Sequence, residues 1–341
     1  MSRKGLITVI AAAALPIACS PQGHTRVPGA ADPAAGPAPE PWRLVWSDEF
    51  DAGAIDPEKW DFDVNCWGGG NNERQCYTDR PENVRVEDGA LLIIARRERV
   101  SGPALPVPMR EPGVPVEMRS MEYSSARIVT RGRASWRYGR IEVRARLPRG
   151  QGVWPAIWML PEDRRYGGWA ASGEIDIMEA VNLGTPCPEC ESGVEDQVLG
   201  TLHYGAEWPD NAYSGRHTTL PDQARGTHTF ALDWSSEAIV WRVDGEIFAC
   251  QTPGDWFTTA PAAQGRPAAP FDQPFHLVMN VAIGGGLPER ENLGGVSEEG
   301  FPKTMQVDFV RVYEWAGEAE MPVPAEGCGP EYRGDSSTTG G

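Results

Sequence analysis

An all-β fold, an antiparallel sandwich or barrel, is what this chain predicts, and three observations carry that expectation. Short apolar or alternating segments recur along it, separated by Gly, Pro, Asn and Asp. No segment longer than ten residues keeps a helical apolar period. Between residues 239–243 and 246–250 stands Asp244-Gly245, the dipeptide of a two-residue hairpin turn.

Taken in order, the elements begin near Trp42, where residues 43–50 read as a first strand. Residues 91–95 form a continuous apolar run, as in a strand buried on both faces. Residues 140–147 alternate strictly between charged and apolar and make the clearest half-buried strand. Segments 153–160, 174–181 and 198–204 follow, then the hairpin, and 275–283 and 305–313 close the series. The Pro-rich stretch 101–115 is expected as an excursion between strands. All-β domains of this kind run to about 200–250 residues, and neither a linker nor a repeat interrupts 42–316.

The flanks have a different composition. Arg3 and Lys4 precede an apolar stretch over 5–18 that is too short to span a bilayer, so 1–19 reads as an export signal. It ends Leu15-Pro16-Ile17-Ala18-Cys19-Ser20, which resembles a bacterial lipoprotein cleavage box with Pro16 where leucine is preferred. A lipid on Cys19 would anchor the protein to the envelope, and ordinary cleavage would leave it periplasmic or extracellular. Residues 20–41 are a Pro/Ala/Gly-rich tether, and 317–341 a small, polar tail expected to fray unless Cys328 pins it.

Of seven cysteines, six remain once Cys19 is set aside. Local pairing gives Cys66–Cys76, Cys187–Cys190 and Cys250–Cys328, although six cysteines allow about fifteen connectivities. Zinc is the alternative at Cys187-Pro-Glu-Cys190, with no second ligand pair to accompany it. The net charge of −17 repels phosphate backbones and so argues against nucleic acid. An uncharged polysaccharide is indifferent to that charge. Apart from a lipid at Cys19 no membrane contact is expected, and the protein is expected to be a monomer.

The chemistry concentrates in Gly173-Glu174-Ile175-Asp176-Ile177-Met178-Glu179. Glu174 and Asp176 share one face of a strand, and Ile175 and Ile177 point to the other. Glu179, five residues from Glu174, would point away unless one extra residue, a β-bulge near Ile177-Met178, turned it back. Two carboxyls about 5–5.5 Å apart across a sugar ring are what a retaining glycosidase needs. A solvated acidic strand face is the plainer reading. Trp154-Pro155-Ala156-Ile157-Trp158 and Trp169 tilt the balance, because indole rings beside acids suit sugars.

These residues resemble glycoside hydrolase family 16, in the form with the extra methionine. The resemblance extends through 42–316 by Trp46-Ser47-Asp48-Glu49-Phe50, Pro81-Glu82-Asn83-Val84, Tyr138-Gly139-Arg140-Ile141-Glu142, Trp154-Pro155-Ala156, Gly200-Thr201-Leu202-His203-Tyr204-Gly205 and Val307-Asp308-Phe309-Val310-Arg311-Val312-Tyr313, which look like the bacterial laminarinase branch. It implies a β-jelly-roll sandwich of two antiparallel sheets with a concave substrate cleft. It makes Glu174 the nucleophile, Glu179 the general acid/base and Asp176 an electrostatic helper that could otherwise be a hydrogen-bonded strand acid.

Trp154, Trp158 and Trp169 are the stacking candidates, with burial in the core as the other reading of each. His203 would reach the catalytic centre or serve as a satisfied structural histidine. Asn71, Arg127, Trp208 and Asn280 match cleft positions, although Asn71 sits in a glycine-rich loop where asparagine serves turns. The resemblance also implies a structural calcium at Glu49, the backbone of Gly89 and Asp308, and no organic cofactor; otherwise those two acids are plain surface residues.

The implied activity is an exported, retaining endo-β-1,3-glucanase. Mixed-linkage β-1,3-1,4-glucan hydrolysis and transglycosylation are the alternatives within the family, and a non-catalytic β-glucan-binding module is the alternative outside it. Residues 183–196 make a longer excursion than many relatives carry and are expected to border the cleft.

Overall fold

The computed structural model describes residues 41–290, 294–317, 321, 323 and 328–338. The expected signal over 1–19 and, but for Pro41, the tether over 20–41 lie outside the described residues.

Two sheets make up the described chain. The ten-stranded sheet runs Glu246–Gln251, Ile239–Val243, Thr227–Trp234, Gly139–Arg146, Lys303–Trp315, Ala90–Pro103, Met118–Ser125 and Gln75–Tyr77. Trp42–Asp48 joins it beside Lys303–Trp315, and Val84–Glu87 beside Ala90–Pro103. The eight-stranded sheet runs Asp335–Thr338, Asn211–Thr219, Gln197–Gly205, Glu174–Glu179, Val153–Pro161, Phe275–Ile283, Arg127–Val129 and Asp61–Phe62. Among the described strand pairs only Gln75–Tyr77 runs in parallel, with Met118–Ser125, and a single parallel bridge joins Gly205 to Thr258. The layout is the expected β-jelly-roll sandwich of two antiparallel sheets.

Alternation sets which residues meet between the layers. Ile141, Val143 and Ala145 are fully buried, whereas Arg140, Glu142 and Arg144 on the same strand are half-buried. Ile157, Met159, Ile175, Leu277 and Met279 from the eight-stranded sheet join them in one core, the apolar burial that stabilises a two-layer domain. Phe275–Ile283 is buried along its whole length, with one face in this core and the other under the cleft. Asp244 and Gly245 both take positive φ, 51° and 90°, as a two-residue hairpin requires of its central pair.

Several strands escape the sequence pattern. Asn211–Thr219 is polar along both faces, so no apolar period marks it. Thr227–Trp234 does alternate, through Phe230, Leu232 and Trp234, and its period of two stands in the sequence. The polar tail contributes an edge strand, Asp335–Thr338, paired with Asn211–Thr219.

The three disulfides are Cys66–Cys76, Cys187–Cys190 and Cys250–Cys328, the local pairing. Cys187 and Cys190 are thus bonded to each other, which removes the thiolates that zinc would need. Their loop is a small hairpin, with Pro186 bridged to Val194 and the Gly184 N–H donating to the Glu195 carbonyl.

Candidate active site

The bulge stands where the acid spacing requires it. On one side Asp176 pairs with Trp158 and Met178 with Ile157, so two steps on Glu174–Glu179 match one on Val153–Pro161. On the other side Asp176 pairs with Thr201 and Glu179 with Leu199, three steps against two. The extra residue reverses the alternation after Asp176. Glu174, Asp176 and Glu179 all line one cavity of about 580 Å³ on the side of the sheet away from the core that holds Ile175 and Ile177.

Each outer acid is held by an indole. Trp169 Nε1 donates to Glu174 Oε2 at 2.7 Å, and Trp154 Nε1 donates to Glu179 Oε1 at 2.9 Å. His203 Nε2 lies 3.2 Å from Asp176 Oδ2 and 3.9 Å from Glu174 Oε1. Trp169 and Tyr213 flank its ring at 5.4 and 5.8 Å.

Burial pushes all three carboxyls up to about 8. The Asp176 charge adds to the rise at Glu174 and Glu179, and the indole donors with His203 pull both back. For Asp176 the hydrogen bond with Glu174 opposes the rise. A site of this kind retains protons near neutrality, and it has within it a route for one proton to pass between Glu174 and Asp176.

All eight expected substrate-binding residues line the same cavity: Asn71, Arg127, Trp154, Trp158, Trp169, His203, Trp208 and Asn280. Their surroundings differ from simple stacking for two of the three indoles. Trp154 is 9% exposed and committed to Glu179. Trp158 donates to Asn280 Oδ1 at 2.7 Å, and the Arg127 guanidinium covers its ring at 4.5 Å. Asp63 anchors Arg127 from behind at 3.3 Å. The open aromatic surfaces are Trp169 and Trp208, 40% and 72% exposed.

Other cavity residues were not foreseen. Glu73 accepts from Gln75 Nε2 at 2.6 Å, from Tyr77 Oη at 3.1 Å and from Asn71 Nδ2 at 3.4 Å. Tyr77 in turn receives Asn280 Nδ2 at 3.1 Å, and burial beside Glu73 raises its hydroxyl well above the usual tyrosine value. Asn211, Tyr213, Gly215 and His217 line the opposite wall, as every second residue of one strand. That spacing is the signal that could have found them. The excursion over 183–196 ends beside the cleft, for Glu195 shares a side cavity of about 40 Å³ with Glu179 and His217.

The position implied for calcium has the following surroundings. Register brings Glu49, just past the end of Trp42–Asp48, and Gly89, in the turn before Ala90–Pro103, to the two sides of the strand that carries Asp308, since Asp48 pairs with Val310, and Val307 pairs with Leu91. Backbone and carboxylate oxygens there are of the hard type calcium takes. Both side chains, however, face guanidinium groups: Glu49 meets Arg311 at 2.7 and 2.9 Å, and Asp308 meets Arg144 at 3.2 Å. Glu174, Asp176 and His203 also lie close enough to share an ion.

Comparison with known proteins bears on the whole domain. The family model described as Glycosyl hydrolases family 16 matches residues 71–291. A β-glucanase of Rhodothermus marinus is 45% identical over 279 residues, covering 80% of this chain and 86% of the relative. Glucan endo-1,3-beta-glucosidase A1 of Niallia circulans is 40% identical over 291 residues, 82% of this chain, which spans only 39% of that relative's length. Among solved structures, the laminarinase from Rhodothermus marinus superposes with a TM-score of 0.62 at 42% identity, covering 80% of this chain and 98% of that one.

Proposed function

The chain belongs to glycosyl hydrolases family 16, and from that premise we propose that it is a retaining endo-β-1,3-glucanase acting on laminarin-like glucans. The observation that carries this reading is the bulge, which brings Glu174 and Glu179 back to one face of a strand in a cleft walled by indoles.

In the first step Glu174 attacks the anomeric carbon while Glu179 gives its proton to the glycosidic oxygen. The carbon–oxygen bond to the leaving chain breaks, and an ester to Glu174 forms. Water, losing a proton to Glu179, then attacks the same carbon and frees Glu174, so configuration is retained overall. Glu174 must be ionised to attack, and Asp176 can take up the proton that burial would otherwise keep on Glu174. The indoles of Trp169 and Trp154 orient the two working carboxyls. Trp169 and Trp208 offer open faces to sugar rings, and Arg127, Asn71 and Asn280 offer donors to hydroxyls.

Incubation with laminarin, lichenan and agarose tests the reading. Release of oligosaccharides from laminarin first is expected. Lichenan as the sole substrate would point to mixed-linkage activity, and no products from any of them would overturn the reading.

Export, with Cys19 either lipidated or removed with the signal, is part of the same proposal and is read from the mass of the mature N-terminus. A calcium held near Glu49, Gly89 and Asp308 would have to compete with Arg311 and Arg144. A rise in thermal midpoint on adding calcium to chelator-treated protein would support it, and no change would exclude it.

A further inference from the structure

The bulge in Glu174–Glu179 is gripped from the opposite sheet. Trp241 belongs to Ile239–Val243 of the ten-stranded layer, is fully buried, and donates from Nε1 to the backbone carbonyl of Asp176 at 2.8 Å. Asp176 is the residue after which the strand leaves register with both neighbours. A regular antiparallel strand spends its carbonyls on adjacent strands. A bulge disrupts that ladder locally, and an indole N–H reaching through the core meets the carbonyl at the point of disruption.

Room for that ring is built into the adjacent strand. A Cβ on Gly200 would lie 2.5 Å from Trp241 Cδ1 and 2.8 Å from Nε1. Gly200 is not among the glycines at positive φ, so a side chain is barred by the ring and not by the backbone. Gly200 sits between Leu199 and Thr201, the partners of Glu179 and Asp176. The indole, the glycine and the bulge thus form one contact on the core side of the sheet, directly behind the acids.

We propose that Trp241 is a positioning residue: its N–H fixes the backbone at Asp176, so that the bulge holds Glu179 in working geometry against Glu174. Gly200 is kept small to admit it. This rests on the proposed roles of the two glutamates. The sugar-binding side chains stand on other segments, so loss of the N–H should disturb bond cleavage and not glucan binding.

The test replaces Trp241 by benzothienylalanine, which keeps the bicyclic outline and removes only the donor. Trp234 supplies the control, because it too is fully buried and donates to a backbone carbonyl, that of Phe271 at 3.0 Å, and neither residue lines the cavity. On laminarin the isostere at 241 is expected to lower kcat about tenfold with KM within about twofold, the fold-change of one lost hydrogen bond expressed at the transition state. The isostere at 234 should leave kcat within about twofold. If the 241 isostere keeps wild-type kcat, or both isosteres lower kcat alike, the positioning role is overturned. Amide exchange adds a readout that does not need turnover: faster exchange over 177–179 in the 241 isostere alone is expected, and unchanged exchange there contradicts the proposal. A wild-type enzyme inactive on every glucan would instead overturn the roles of Glu174 and Glu179 themselves.

Discussion

Gly139–Arg146 and Glu174–Glu179 look alike as sequences, each alternating charged and apolar residues over the same core. Ile141 and Val143 enter that core from one sheet, Ile175 and Ile177 from the other. Their charged faces diverge. Arg140, Glu142 and Arg144 mix signs and find partners beside them, Arg140 on Asp233 at 2.5 and 2.8 Å and Arg144 on Asp308 at 3.2 Å. Burial pushes the Glu142 carboxyl up as well, but Arg140 and Arg311 pull it back. His203 lies beside Glu174 and Asp176, no Lys or Arg pairs with any of the three acids among the described residues, and burial pushes all three up to about 8. Alternation therefore marks a strand; one repeated sign without counter-charges, plus a break in the period, marks a site.

That contrast can be broken by substitution, most severely at the outer acids. Glu174→Ala and Glu179→Ala should each lower kcat on laminarin by about 10³-fold or more. With an activated leaving group that needs no proton, azide should restore Glu179→Ala by attacking the anomeric carbon in place of base-activated water, which breaks the ester to Glu174 and gives a glycosyl azide of retained configuration. A retained azide product from Glu174→Ala and an inverted one from Glu179→Ala would exchange the two roles.

Asp176→Asn should cost less, about tenfold in kcat, with an informative pH profile. The Asp176 charge raises both Glu174 and Glu179, so its removal lets both ionise at lower pH. Both limbs of the kcat profile should move toward acid, and limbs that stay in place would show that Asp176 does not set those protons.

Stability sharpens the contrast further. A carboxyl whose folded value is about 8 binds a proton that the unfolded chain has lost above about 4.3. Its raised value therefore adds no pH-dependent cost below about 4.3, and stability falls as pH rises from there through 8. Glu179→Gln should gain in thermal midpoint over the wild type between pH 5 and 8, a gap that scans across that range would detect. A constant gap would mean that Glu179 is not shifted. Smallest of all, Arg144→Ala removes a half-exposed pair and should leave kcat within about twofold and stability within about 1 kcal/mol, checked by kinetics and thermal scans.

The candidate acids were legible because a period of two that fails by one residue is written in the order of the letters. Glu174-Ile175-Asp176 starts the alternation and Ile177-Met178 breaks it. What an indole does was not legible: sequence does not say whether a ring meets a sugar, a guanidinium or an acid, and Trp158 and Trp154 took the latter two. Asn211–Thr219 lies open to the cleft on one face, so its polar residues gave no apolar rhythm to read. Glu73 hid in a glycine-rich loop read only for turns, though Glu73, Gln75 and Tyr77 alternate into one network. Trp241 stands within one arm of a hairpin, and its contact with Asp176 spans 65 positions of sequence.

Covalent trapping tests the account most directly. A 2-deoxy-2-fluoro β-1,3-glucosyl donor with a good leaving group forms its ester quickly and hydrolyses it slowly, so the labelled residue can be read by peptide mass spectrometry. The adduct is expected on Glu174, with Glu179 and Asp176 unmodified. An adduct on either of those, or no ester on an enzyme that still cleaves laminarin, would contradict it.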